Sequence, residues 1–124
     1  MKKIFLYAIF CQLILGCKKN PFDYRTKYVG DYSFTIHYSS WSPFNGQFDT
    51  TYSIDGKIDY GSIKNKISII YSGSTSPQMF TIYEDGTIED DCKGEFESVN
   101  KIIYSCYWAS PAAHTFESVI GEKK

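Results

Sequence analysis

Apolar and polar side chains alternate with a period of two along most of the chain beyond residue 28. In the first such run, Tyr32, Phe34, Ile36 and Tyr38 are each separated by one polar residue. This alternation is typical of half-buried β-strands. Helical periodicity does not appear beyond residue 16. Similar runs recur near residues 48–54, 67–71, 79–83, 102–108 and 115–120. The sequence therefore predicts an all-β domain.

The turn residues between these runs indicate how the strands are connected. Asp55-Gly56 and Asp85-Gly86 each lie between strand-like runs, and Asp-Gly is a strong signal for a two-residue hairpin turn. Strands joined by short turns pair antiparallel and form a meander. A meander of seven or eight strands closes into a barrel or folds into a sandwich. We predict an antiparallel meander that closes as a small barrel, with a β-sandwich as the alternative.

The spacing of the last two cysteines predicts a disulfide. A three-residue turn at residues 98–100 places Glu97 opposite Lys101 and Cys92 opposite Cys106. Directly opposed residues on neighbouring strands lie about 4.5–5.5 Å apart, which suits disulfide geometry. The alternative is a pair of buried thiols in contact.

Residues 1–16 are arranged like a secretory leader. Lys2 and Lys3 precede an apolar run over residues 4–15, and Gly16 comes just before Cys17. A membrane-spanning helix needs about 20 apolar residues, so this run is too short to be one. A basic start, a short apolar stretch and a small residue at the cut predict a signal peptide.

The segment Leu13-Ile14-Leu15-Gly16-Cys17 resembles the lipobox of bacterial lipoproteins. The resemblance implies that a peptidase cuts before Cys17 and that lipid is attached to its sulfur. Ile14 stands where leucine is commonest in that family. Cys11 is a poorer candidate because the large Phe10 precedes it. An uncleaved membrane anchor and an ordinary secretory leader are the alternatives.

These features divide the chain into a signal peptide at 1–16, a lipidated cysteine with its tether at 17–27, and a single β domain at 28–124. Two or more acyl chains hold a protein stably on a membrane, whereas one does so only marginally. We therefore expect the membrane to be a partner through lipid on Cys17. The expected location is the cell envelope, at the outer membrane.

The charge of the mature chain argues against nucleic acid as a partner. The whole sequence has 13 basic and 14 acidic residues, and the leader removes Lys2 and Lys3 but no acid. The remaining domain is mildly acidic, whereas nucleic-acid binding needs a basic face.

The sequence offers no recognisable catalytic motif. His37 and His114 are the only histidines, and they lack the spacing of a metal site. A nucleophile elbow and a phosphate-binding glycine loop are also missing from the sequence. We therefore predict a protein that is not an enzyme and that uses neither a metal nor a cofactor.

The segment from Tyr38 to Gly46 is the most suggestive for function. It places Trp41 and Phe44 in a polar loop after the first strand, and exposed aromatic side chains are frequent in binding sites. We predict a non-catalytic binding or interaction module that contacts a glycan or a protein through these two residues. Alternatively, both rings fold back as a lid over the core.

A second functional hypothesis is a carrier or sensor of a small apolar ligand. In that case the barrel interior would be open, and tyrosines on the apolar phase would line the cavity. These tyrosines are Tyr32, Tyr38, Tyr52 and Tyr104.

The domain resembles known proteins in the order of its short sequence features. The opening segment from Tyr28 to Phe34, the tryptophan-containing loop, the Asp-Gly pairs and the late cysteine resemble small lipoproteins of Bacteroidetes-type bacteria. Gly30-x-Tyr32 is similar to the Gly-x-Trp that opens lipocalins. Tyrosine replaces the tryptophan here, and the late lipocalin arginine has no counterpart in residues 116–120. The resemblance implies a short lipocalin-like barrel and transfers no functional residue.

Overall fold

The computed structural model describes residues 23–124. The predicted signal peptide, Cys17 and the first part of the predicted tether lie outside the described residues. The described chain contains a short 3-10 helix and eight strands. The 3-10 helix is Thr26–Tyr28, and the strands are β1 Gly30–Ser42, β2 Gly46–Tyr60, β3 Lys66–Tyr71, β4 Gln78–Ile82, β5 Thr87–Glu89, β6 Cys92–Ser98, β7 Lys101–Ser110 and β8 Ala113–Lys123.

The eight strands form a closed antiparallel barrel. Each strand pairs with the next along the chain, and β8 returns to pair with β1. The predicted meander barrel is therefore confirmed, and the sandwich alternative is wrong. Within residues 23–124, no helix is long and apolar enough to cross a membrane.

The inward-facing side chains form one buried cluster. In β1 the burial alternates, with Tyr32, Phe34 and Ile36 buried and their neighbours more exposed. Each of the remaining seven strands adds inward-facing residues to the same cluster, so apolar side chains fill the barrel interior. The cluster contains Tyr28, Tyr32, Phe34, Ile36, Ile58, Ile67, Ile69, Phe80, Ile82, Ile88, Cys92, Phe96, Ile102, Tyr104, Cys106 and Val119.

The start of the described chain closes one end of the barrel. The buried Arg25 pairs with Asp23 at 2.7 Å and donates hydrogen bonds to the carbonyl oxygens of Ile63 and Lys66. The Tyr24 hydroxyl donates to the Ile82 carbonyl at 2.8 Å. The described part of the predicted tether therefore packs against the barrel. We call this the closed end.

One of the two Asp-Gly predictions is correct and the other is wrong. Asp85 and Gly86 lie in the turn between β4 and β5, as predicted, but the turn is longer than two residues, and of the two only Gly86, with a φ of +89°, has a positive φ. Asp55 and Gly56 instead lie inside β2, paired with β1. A Cβ atom on Gly56 would lie 2.8 Å from the Phe34 ring and 2.7 Å from the Ile70 carbonyl oxygen. Close packing, not a turn, requires this glycine.

The pairing of β6 with β7 carries the predicted disulfide. Cys92 lies opposite Cys106, and the two are joined. The predicted turn is wrong in one detail, because a bulge shifts the register beside Glu97 and Ser98 faces Lys101. Glu97 still lies 3.4 Å from the Lys101 ammonium. The bulge absorbs the extra residue before the turn.

Strand length divides the barrel into two halves. β1, β2, β7 and β8 have 10 to 15 residues, whereas β3 to β6 have 3 to 7. The four long strands therefore continue past the rim as an open sheet in the order β2-β1-β8-β7. We call residues 38–53 and 107–117 the extension. It lies at the end opposite the 3-10 helix.

Gly94 provides a test of the packing between β6 and β7. A Cβ atom there would meet the Ile103 carbonyl oxygen and lie 2.5 Å from the Tyr104 Cα. We expect Gly94→Ala to lower the free energy of unfolding by about 1–3 kcal/mol, as overpacking does. Urea denaturation measures this change. The control Lys93→Ala, on the exposed face of the same strand, should change it by less than about 0.5 kcal/mol. Equal stability of both variants would contradict the packing.

Candidate functional site

The structure places both predicted contact residues on the extension. Trp41 lies within β1, opposite Gln47 on β2 and His114 on β8, and is 40% exposed. The prediction of a loop at Trp41 is therefore wrong, because pairing of β1 with β2 continues to the very end of the hairpin. Phe44 lies in the turn and is 92% exposed. Neither ring forms a lid over the core.

The outer face of the extension carries a row of aromatic rings. Trp41 stacks on His114 with centroids 5.3 Å apart, and Tyr107 follows 6.4 Å from His114. Phe116 lies opposite Tyr107 in the register of β7 and β8. The sequence interpretation did not single out Tyr107 or Phe116. Each lies three residues from a buried side chain, Tyr104 or Val119, and this odd separation along a strand, which points to the opposite face, was the available signal.

The inner face of the extension holds a second group of aromatic side chains around one carboxylate. Phe48 and Tyr52 are 55% and 44% exposed, and the Tyr38 ring packs edge-on against Phe48 at 6.3 Å. Tyr71 reaches the same region from β3. We call this group the inner cup, and it contains Tyr38, Phe48, Tyr52, Tyr71 and Glu117.

The floor of the inner cup is a pair of hydrogen-bonded tyrosines. The hydroxyl groups of Tyr71 and Tyr104 hydrogen-bond to each other. Burial raises the pKa of Tyr71 to about 12, although its bond to Tyr104 opposes the rise. Burial also raises the pKa of Tyr104 well above its ordinary value. Both hydroxyls are therefore protonated at any physiological pH.

Glu117 lies on β8 between Tyr38 of β1 and Cys106 of β7. Its carboxyl group is half-buried, and loss of solvent raises its pKa above the usual value. Burial raises the pKa of Tyr52, and the negative charge of Glu117 raises it further. None of the ion pairs within residues 23–124 includes Glu117. Its charge is therefore uncompensated by the described chain.

The charge and the rings of the inner cup favour one type of ligand. The face of an aromatic ring attracts cations, most strongly where water is displaced. A half-buried carboxylate gains from an opposite charge. The extension contains no Lys or Arg, and His114 on it and His37 beside it lie on the outer phase. The arrangement can therefore hold an organic cation.

The ionisable groups do not converge as a catalytic site would require. His37 bonds to Thr51 on the outer face of the sheet, whereas Glu117 faces inward. Within the part of the chain that the structure describes, no three metal-ligating side chains come together. The prediction that the protein is not an enzyme stays a prediction.

Glu117 provides a pH-dependent test of the inner cup. The pKa of Glu117 is higher in the folded protein than in the unfolded protein, so protonation of its carboxyl group stabilises the fold. This stabilisation is fully present below the unfolded-state pKa. It is lost as pH rises through the folded-state pKa. We expect Glu117→Gln to raise the free energy of unfolding at pH 7, by no more than about 1 kcal/mol. The gain should vanish below about pH 4.

Denaturant unfolding at several pH values measures this effect. The control Glu95→Gln, exposed on the outer phase of β6, should show no such pH-dependent gain. A wild-type protein more stable than Glu117→Gln at pH 7 would mean that the carboxylate already has a compensating partner.

Comparison of the chain with protein-family models, curated proteins and solved structures found no match.

Proposed function

We propose that this chain is a lipoprotein of the cell envelope whose barrel is a non-catalytic binding module. The leader and the lipobox-like segment ending at Cys17 support lipid attachment, and we expect the anchor to lie in the outer membrane. Multiple acyl chains on Cys17 would hold the protein without a spanning helix. Residues 18–22 separate Cys17 from the first described residue, so the tether is short.

The position of the tether supports a binding role for the extension. Asp23 and Arg25 lie at the closed end, where β1 begins. β1 then runs for 13 residues to Ser42, a length of about 40 Å at about 3.3 Å per residue. Lipid attachment at the closed end therefore leaves the extension free to bind.

The observation that carries the proposal is the half-buried Glu117 carboxylate among aromatic rings, without a basic partner in the described chain. A ligand with an ammonium group would supply the missing charge. It would also contact the rings of Tyr52 and Phe48, which are accessible from solvent. We propose organic ammonium compounds as the ligand class.

A surface site is better supported than an apolar carrier. The inward side chains of all eight strands fill the barrel. Three surface concavities of about 170, 350 and 540 Å³ open to solvent elsewhere on the barrel, and Glu117, Phe48 and Tyr52 line none of them. Trp41 and Phe44 lie outside the inner cup, and we propose them as additional contacts for a larger glycan or protein that carries the ammonium group.

Choline is a suitable probe for the inner cup. Trp41→Phe leaves Trp108, which lies on the inner phase of β7, as the only tryptophan. We expect millimolar choline to change the fluorescence of this full-length variant in detergent. Glu117→Gln should weaken the affinity about tenfold, equivalent to about 1.4 kcal/mol. The affinity should rise with pH through the raised pKa of Glu117, because the carboxylate form binds.

Two controls sharpen the choline experiment. The neutral isostere 3,3-dimethylbutan-1-ol has the same shape without the charge and should bind at least tenfold more weakly. Glu95→Gln should leave choline binding unchanged. Equal binding of the isostere, or unchanged binding by Glu117→Gln, would contradict an ammonium site. The first result would favour the apolar carrier instead.

A further inference from the structure

The long strand β2 has an edge without a strand partner. β2 pairs with β1 at 13 positions from Gly46 to Ile58, but β3 covers only Gly56–Tyr60. The last backbone bond on the β3 side joins the Ser72 N–H to the Asp55 carbonyl at 2.8 Å. Residues 46–54 therefore have no strand on that side in the described chain.

The direction of the Asp55 carbonyl shows which backbone groups face this edge. Backbone bonding direction alternates along a strand in an antiparallel sheet. Since Asp55 bonds toward β3, the N–H and C=O groups of Asp49, Thr51 and Ser53 point to the same side. The intervening residues bond to β1. The free edge thus presents a regular row of donors and acceptors.

Apart from the charge of Asp49, this edge lacks the usual protection against pairing with another chain. Natural edge strands are blunted by lysine, proline, bulges or short length. Residues 50–54 read Thr-Thr-Tyr-Ser-Ile, without charge or proline, and favour strands. The register with β1 contains no bulge. The free edge of β7 is shorter and ends at a turn containing Pro111. The β2 edge is therefore the better place for a partner strand.

We propose that β2 pairs antiparallel with β2 of a second copy of this chain, around a two-fold axis at Thr51. In this register Thr51 faces its own copy, and Asp49 faces Ser53. On the inner face Phe48 meets Ile54, and Thr50 meets Tyr52. Apolar and β-branched side chains therefore meet across the axis, which stabilises cross-strand pairs.

Charge favours this register over its neighbours. An axis at Asp49 would place two aspartates opposite each other, and an axis at Tyr52 would place Asp49 opposite Asp55. Like charges directly opposed destabilise a sheet. An axis at Thr50 avoids these contacts, but it leaves Ile54 against Gly46, which has no side chain. The Thr51 axis matches the most side chains.

The pairing covers the free β2 edge of each copy. The assembly therefore stops at two chains. A two-fold interface uses the same surface on both partners, so growth beyond the dimer does not follow. The two extensions become one continuous eight-stranded sheet with both inner cups on the same face. The closed ends lie at the two far ends of the dimer. If both chains are anchored in one bilayer, their strands lie along the membrane surface.

Cysteine cross-linking in the full-length protein tests the pairing. Thr51→Cys places two thiols across the axis, where paired Cα atoms lie about 5.5 Å apart, within reach of a disulfide. Oxidation of isolated membranes should shift most of this variant to twice the monomer mass on a non-reducing gel. The control Thr35→Cys is also exposed and outward-facing, but β2 and β8 flank it on both sides. It should stay monomeric.

A charge variant tests the same axis without oxidation. Thr51→Lys brings two ammonium groups together and should convert the detergent-extracted dimer to monomer by native mass spectrometry. Thr35→Lys should leave the dimer intact. A monomeric wild type, equal cross-linking of both cysteine variants, or cross-links of Thr51→Cys to a different protein would each overturn the proposal.

Discussion

The inner cup and the free β2 edge depend on the pairing of β1 with β2 and β8 beyond the barrel rim. The barrel proper needs only the lower half of these strands, where β3 to β6 complete the ring. Above the rim, backbone ladders keep residues 38–53 and 107–117 in register without a buried core beneath them. This pairing fixes which side chains face inward, which face outward, and which edge is free.

The barrel and its core were predictable because burial imposes a period of two on each strand. The disulfide was predictable because counting paired residues back from the predicted turn places Cys92 opposite Cys106. Trp41 was misplaced because serines and Pro43 look like a loop, whereas cross-strand pairing keeps this segment extended. Gly56 was misread because its role is to accommodate the Phe34 ring. Local patterns do not report such long-range contacts.

The inner cup was not predictable from any single segment. Glu117 becomes unusual only when β8 lies between β1 and β7, which places its carboxyl group beside Tyr38 and near Tyr71 of β3. One uncompensated charge in an aromatic setting then suggests a cationic ligand. The free β2 edge likewise emerges from unequal strand lengths. Both proposals rest on the same open sheet and would fail together if that sheet were not formed.

Residue-resolved amide hydrogen exchange across β2 in the full-length Thr51→Lys protein tests the extension most directly. Without a partner strand, the backbone amides of residues 49, 51 and 53 face solvent, and we expect them to exchange quickly. The amides of Thr50 and Tyr52 bond to β1 and should exchange far more slowly. An alternating pattern over residues 48–54 would establish the ordered extension. Uniformly fast exchange would contradict it, and with it the inner cup and the free edge.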